Sequence, residues 1–183
     1  MRIIAGQFRG VALASVGKGD AGAHLRPTSD RVRESLFNVL TNYGVIDGAR
    51  VLDLFAGTGA LGIEALSRGA SHVTFVDDGI KAGQLIRQNV AITRSADKTR
   101  LIRRDARKLP DNGDAPSELV FLDPPYGKGL GQAALAAAKA GGWIADGALI
   151  VWEERSPQEA PEGFTRLDQR RYGDTHVTIL QAS

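Results

Sequence analysis

The chain has no cysteine, one methionine and three scattered histidines among its 183 residues. The absence of cysteine excludes disulfides, thiolate metal sites and cysteine nucleophiles, and His24, His72 and His176 show no metal-ligand spacing, so no metal is expected. No apolar run approaches membrane-spanning length, and Met1-Arg2-Ile3-Ile4-Ala5-Gly6 lacks the apolar stretch of a signal peptide, so a soluble cytoplasmic protein without a membrane partner is expected. Aromatics are only 6% of residues, and Trp143 and Trp152 read as core or helix-edge packing. With 43% hydrophobic content the chain can bury a full core, and its length points to one domain over 1–183, expected as a monomer.

Net charge is also scarce, at +2, but it is zoned. Residues 1–33 carry +4 and residues 94–108 carry +5, whereas residues 109–163 carry −6. Such unevenness suits a protein that meets a polyanion on one side, although clustered signs on a solvated surface give the same pattern.

Strand and helix patterns alternate along the chain. Strands are predicted near 50–54, 72–77, 100–104, 118–123, 147–153, 165–172 and 175–181, with helices near 28–42, 58–68, 79–93 and 129–141. This order implies an α/β fold with a mostly parallel, doubly wound sheet, and Gly173-Asp174 joins the last two strands as an antiparallel hairpin. Residues 2–16 read as two short strands around Gly10, and Gly17 to Gly22 as a glycine-rich loop. Helix 28–42 starts at a Thr28/Ser29/Asp30 cap and is expected to bury Val32, Leu36, Val39 and Leu40.

The most informative residues are Val120-Phe-Leu-Asp123-Pro124-Pro125-Tyr126. Two prolines fix the backbone after a buried strand and hold the Pro124 carbonyl in a set direction. With the Asp123 carboxylate, it can accept both protons of an exocyclic amine, while Tyr126 supplies a stacking face. Read alone, the same letters also fit a turn that merely ends a strand.

Upstream, Val51-Leu-Asp53-Leu-Phe55-Ala56-Gly57-Thr58-Gly59-Ala-Leu-Gly62 takes a short strand into a glycine loop and a helix. The pattern suits an anionic group at a helix N-terminus and equally fits a dinucleotide fold, a methyl-donor fold or a plain turn. Asp77 closes the next strand, where a carboxylate accepts from ribose hydroxyls, and Asp105 follows the third, placed to accept from an adenine amine. Asp53 inside its strand can orient the loop or bind a ligand ammonium group. Each acid alone reads as readily as a helix cap or solvated strand end, but with Asp123 they punctuate four successive strands on one edge.

This set resembles the seven-strand S-adenosylmethionine-dependent methyltransferases that modify exocyclic amines of bases. More narrowly, Arg2-Ile-Ile-Ala-Gly6 through Gly10, then Leu25-Arg26-Pro27-Thr28-Ser29-Asp30-Arg31-Val32-Arg33-Glu34, resembles the RsmD family, over essentially the whole chain including Val151-Trp152-Glu153 and Tyr172-Gly173. The resemblance implies a Rossmann-like methyltransferase sheet and N2 methylation of a guanine in 16S ribosomal RNA, free or in the small-subunit particle. It implies S-adenosyl-L-methionine held by Asp53, Phe55, Ala56, Gly57, Thr58, Gly59, Asp77, Asp105 and Ala106, and catalysis by Asp123, Pro124, Pro125 and Tyr126. After the second strand the family shows Glu, a variable residue and Asp; here Asp77-Asp78-Gly79 places the ribose contact on the shorter Asp77. Arg2, Arg9, Arg26, Arg31 and Arg33 are the expected RNA contacts, with 1–27 an RNA-facing extension, although a surface ion pair accounts equally for an arginine such as Arg31 beside Glu34. An adenine-N6 methyltransferase, an NAD-dependent oxidoreductase and a non-catalytic RNA-binding assembly factor are the rival readings.

Overall fold

The computed structural model describes residues 1–16 and 28–183. Seven strands form one sheet: β1 (Arg50–Leu54), β2 (His72–Val76), β3 (Thr99–Ile102), β4 (Ser117–Leu122), β5 (Ile144–Glu154), β6 (Phe164–Tyr172) and β7 (Thr175–Ala182). Their order across the sheet is β3-β2-β1-β4-β5-β7-β6, with β1 to β5 parallel and β7 antiparallel to both its neighbours. Helices α1 (Asp30–Tyr43), α2 (Ala60–Ser67), α3 (Ile80–Ile92) and α4 (Leu130–Ala140), with two short 3-10 turns, Ala96–Lys98 and Ala106–Lys108, complete the described regular elements. None of them is long and apolar enough to cross a membrane.

Period-two alternation explains why the inner strands read as continuous apolar runs: both faces are covered. Val51, Leu119, Phe121, Leu149 and Val151 pack with α1 and α2 on one side. Leu52, Leu54, Val120, Leu122, Ile150 and Trp152 pack with α4 on the other. The buried polar residue in β1 is Asp53, whose register partners are Phe75 and Phe121. Parallel strands all end on the same edge of the sheet, so the loops after β1, β2, β3 and β4 gather there.

Helix α1 begins at Asp30, because the Ser29 side chain accepts from Val32 N at 3.2 Å, and it ends at Gly44 in the left-handed region. Its buried face is Arg33, Leu36, Phe37 and Leu40, while Val32 and Val39 are only half-buried. Phe37 packs against Phe121 with centroids 5.7 Å apart.

The N-terminal segment is less regular than two strands. A single antiparallel bridge joins Arg2 to Ala12, supported by Ile3 N to Val11 O and Gly10 N to Ile3 O. Between them the chain turns onto α2. Gly6, at φ 86°, lies so close to Ser67 that a Cβ would sit 1.9 Å from its carbonyl oxygen, which only glycine tolerates. Buried Glu64 accepts from Ile4 N at 2.9 Å and Ala5 N at 3.2 Å, and Ser67 Oγ accepts from Phe8 N at 2.9 Å. The expected loop Gly17–Gly22, with His24, Arg26 and Pro27, lies outside the described residues.

Candidate active site

At the C-terminal edge of the parallel strands lies a cavity of about 710 Å³, within the range typical of small-molecule sites. Its wall includes Asp53, Phe55, Ala56, Gly57 and Thr58 from the β1–α2 connection. Asp77 after β2, Asp105 and Ala106 after β3, and Asp123, Pro125 and Tyr126 after β4 line it as well. The glycine loop and the Asp-Pro-Pro-Tyr turn therefore share one crevice. Gly59 and Pro124, both buried, do not line it. Gly59 at φ 80° instead turns the chain into α2, with Phe75 and Ile86 packed close behind its Cα.

The loop is held by carboxylates as well as by glycine conformations. Asp77 Oδ2 accepts from Gly57 N and its Oδ1 accepts from Gly79 N, both at 2.9 Å, so one side chain pins the loops after β1 and β2 together. Asp53 Oδ2 accepts from Gly62 N at 3.1 Å and orients the first turn of α2. Phe55 adopts φ 57°, a strained conformation for a bulky residue of the kind found at ligand clamps.

Burial raises the Asp53 carboxyl well above the ordinary carboxylate value, against the Gly62 N–H, which lowers it, and the charges of Asp123 and Asp77 raise it further. Burial also raises Asp77, opposed by the Gly79 and Gly57 N–H groups. A floor on which carboxylates repel one another is stabilised by a bound cation. S-adenosylmethionine carries an ammonium and a sulfonium, so the residues present fit it.

Two expectations need revision. Arg33 is not a surface RNA contact: it is fully buried, bonded to Asp30 at 2.8 Å and lies 3.7 Å from Glu64. It sits on the inner face of α1 and joins that helix to α2. Asp105 is not an uncommitted acceptor either. Its hydrogen bonds to the Arg107 guanidinium hold its carboxyl below the usual range, with the closest contact 2.6 Å, and it also accepts from Arg107 N. An adenine amine at this wall competes with Arg107 for the carboxylate.

Arg2, Arg9 and Arg31 are exposed, and Arg2 Nη1 donates to Gly10 O at 2.7 Å. Arg26 lies outside the described residues. Among the described residues no group of three or more His, Asp or Glu could hold a metal. Cavity residues not among those expected include Thr28, Asp78, Arg104, Arg107, Lys128 and Arg155. The last five share one sequence signal, a position just beyond a parallel strand, whereas Thr28 precedes α1.

A β3-β2-β1-β4-β5-β7-β6 sheet with this loop and turn at one edge is the architecture of a methyltransferase. The chain belongs to the family described as conserved hypothetical protein 95, the RsmD family, which matches residues 1–181. It is 40% identical over 161 residues to ribosomal RNA small subunit methyltransferase D of Escherichia coli strain K12, covering 88% of this chain and 78% of that protein. It is 38% identical over 187 residues to the Haemophilus influenzae protein of the same name, covering 99% and 93%. The solved structure of yhhF from Escherichia coli superposes with TM-score 0.84 at 36% identity, covering 100% of this chain and 97% of that one.

Proposed function

We propose that the enzyme methylates the exocyclic N2 of a guanine in 16S ribosomal RNA, using S-adenosylmethionine as donor and acting on the RNA or the small-subunit particle. The observation that carries this reading is the single cavity walled by both the glycine loop and Asp123 with Tyr126. The two relatives named as small-subunit ribosomal RNA methyltransferases support the substrate class.

When bound, the donor supplies an electrophilic methyl group on a sulfonium sulfur. Asp53 and the Gly57–Thr58 loop would hold the ammonium and carboxylate end, Asp77 the ribose, and Asp105 with Ala106 the adenine. Tyr126 stacks a base turned out of the RNA, and its hydroxyl is tethered 3.3 Å from Thr175 Oγ1, which fixes the ring. Asp123, on the cavity wall, accepts an N2 proton, and Pro124, buried behind that wall, fixes the turn that carries Asp123 and Tyr126. A bound donor would supply the methyl group to the amine lone pair, and the positive charge developing on nitrogen would be stabilised by the Asp123 carboxylate. The methylated amine afterwards releases a proton to the Asp123 side or to solvent. Positioning carries most of the rate, since neither a covalent enzyme intermediate nor a strong base is needed.

The test is to methylate small-subunit RNA and particles from cells lacking the enzyme with labelled donor, then digest to nucleosides. N2-methylguanosine is expected; label in N6-methyladenosine overturns the reading. Asp123→Ala should keep S-adenosylhomocysteine affinity and lose at least a hundredfold in turnover, the size of effect expected when a group acting on the transition state is removed.

A further inference from the structure

The cavity has an acidic floor and a cationic rim. Arg104 and Arg107 stand on its wall after β3, and Lys128 and Arg155 stand on it after β4 and β5. All four are exposed and outnumber the one exposed carboxylate among them, Asp78, whereas Asp53 is buried and Asp77 and Asp123 are half-buried. We propose that these cations are the backbone grip for the RNA substrate, two on each side of the entering base, so that a single-stranded segment lies across the mouth while one base turns inward. This inference rests on the proposed RNA methylation and adds how the strand is held.

The sheet order sets the scale. Strands β3 and β5 are separated by β2, β1 and β4, which at the usual strand spacing is about 19 Å. Phosphates on either side of an extruded nucleotide reach both pairs only if the strand is continuous in both directions, so an internal loop base is accepted and a free nucleotide is not gripped. The charge contrast sorts the two parts of the substrate. A phosphate is repelled by Asp53, Asp77 and Asp123 and drawn to the rim, while a neutral base carrying amine donors is the part that suits the floor. Residues 94–108, which hold Arg104 and Arg107, carry +5, so the field extends beyond the cavity on that side.

Arg155 has a second role in entry. Its guanidinium carbon lies 5.7 Å from the Tyr126 ring centroid. An exposed cation–π contact is weaker than a charge-assisted hydrogen bond to phosphate. Arrival of the RNA therefore transfers Arg155 from the ring to the backbone and leaves Tyr126 for the base. Arg107 remains paired with Asp105 and contributes less than Arg104.

The test is the salt dependence of binding to a fluorescent single-stranded RNA of about 12 nucleotides, long enough to span such a groove. Each phosphate contact contributes about 0.7 to the slope of log affinity against log salt for a single strand. Arg104→Ala, Lys128→Ala and Arg155→Ala should each lower the slope by about that amount and the Arg104→Ala/Arg155→Ala double variant by about 1.4. Arg155→Lys should keep it, and S-adenosylhomocysteine affinity should stay within about twofold for the Lys128 and Arg155 variants. An unchanged slope in the double variant overturns the grip, as does failure of the wild-type enzyme to bind the single strand, or equal affinity for the same sequence as duplex. The outcomes separate from the base reading: a slope that falls while the modified base is not guanine leaves the grip standing, and N2-methylguanosine with unaltered slopes removes the grip alone.

Discussion

Asp53→Asn separates what the fold needs from what the donor needs. The Asp53 carboxylate is 1% exposed, accepts one backbone N–H, from Gly62 at 3.1 Å, and is repelled by Asp123 and Asp77. Asparagine has the same shape, keeps an acceptor oxygen for Gly62 and removes the buried charge. Relief of a site of this kind gains about 0.5–2 kcal/mol, and for a chain of this length each kcal/mol moves Tm by about 2–4 °C, so the ligand-free variant should melt about 1–8 °C higher near neutral pH. The pH dependence has a definite sign. Because the folded-state carboxyl is raised above its unfolded value, its contribution to stability is full below the ordinary carboxylate range and is lost as pH rises through the raised value. The variant lacks that loss, so its advantage should shrink as pH is lowered into the carboxylate range. Donor affinity moves the other way. Removing a charged partner of an ammonium costs about 1.5–3 kcal/mol, or roughly ten- to a hundredfold in Kd for S-adenosylhomocysteine by calorimetry. A variant that melts lower near neutrality yet binds the nucleoside as tightly as wild type would refute the reasoning, because Asp53 would then be structural alone.

Two further perturbations test the supports of the site. Glu64→Ala leaves buried Arg33 without its partner on α2 and orphans Ile4 N and Ala5 N, and breaking a buried pair costs about 3–5 kcal/mol, so Tm should fall by at least about 6 °C. Amide hydrogen exchange should quicken first at Ile4 and Ala5; protection unchanged there would show that Glu64 does not hold the segment. In Gly62→Ala the new Cβ would lie 2.6 Å from Phe75 Cε1 and 2.7 Å from Val73 Cγ1, both fully buried and unable to retreat. Overpacking of this kind costs about 1–3 kcal/mol and displaces the start of α2, so S-adenosylhomocysteine affinity should drop along with Tm; an unaltered Kd would mean that the Gly62 turn does not position the loop.

How much of this was legible in the sequence differs by residue. The strands were readable because each inner one is a short apolar run ending near an acid, and their observed bounds depart by at most a few residues, mostly at β5, which begins at Ile144. The shared edge followed from the parallel topology alone, so Asp53, Asp77, Asp105 and Asp123 could be assembled from strand ends. Arg33 was misread although the signal was present: 33, 36, 37 and 40 fall on one helical stripe, and the charge was weighed above the spacing. The commitment of Asp105 to Arg107 depends on one turn, Ala106–Lys108, whose cap geometry no pattern specifies. Arg104, Lys128 and Arg155 come from loops after three different strands, and only the sheet order brings them to one rim.

The N-terminal segment is bonded to the supports of the glycine loop. Asn89, fully buried on α3, accepts from Ala14 N at 2.6 Å, donates to Ala14 O at 3.0 Å and donates to Thr58 O at 2.9 Å. Three of the four hydrogen bonds an amide side chain can make are thus used, and two partners lie in a segment remote in sequence from the third. Each such bond is worth only about 0.5–1.5 kcal/mol net, but leaving any of these groups buried and unmade costs about 1–3 kcal/mol, so the segment and the loop stay fixed together. Glu64 and Ser67 secure the same segment to α2, the helix that the glycine loop begins. Residues 1–16 are therefore attached to the elements behind the glycine-loop side of the cavity, and their exposed arginines, Arg2 and Arg9, are carried on a rigid mount rather than on a free arm.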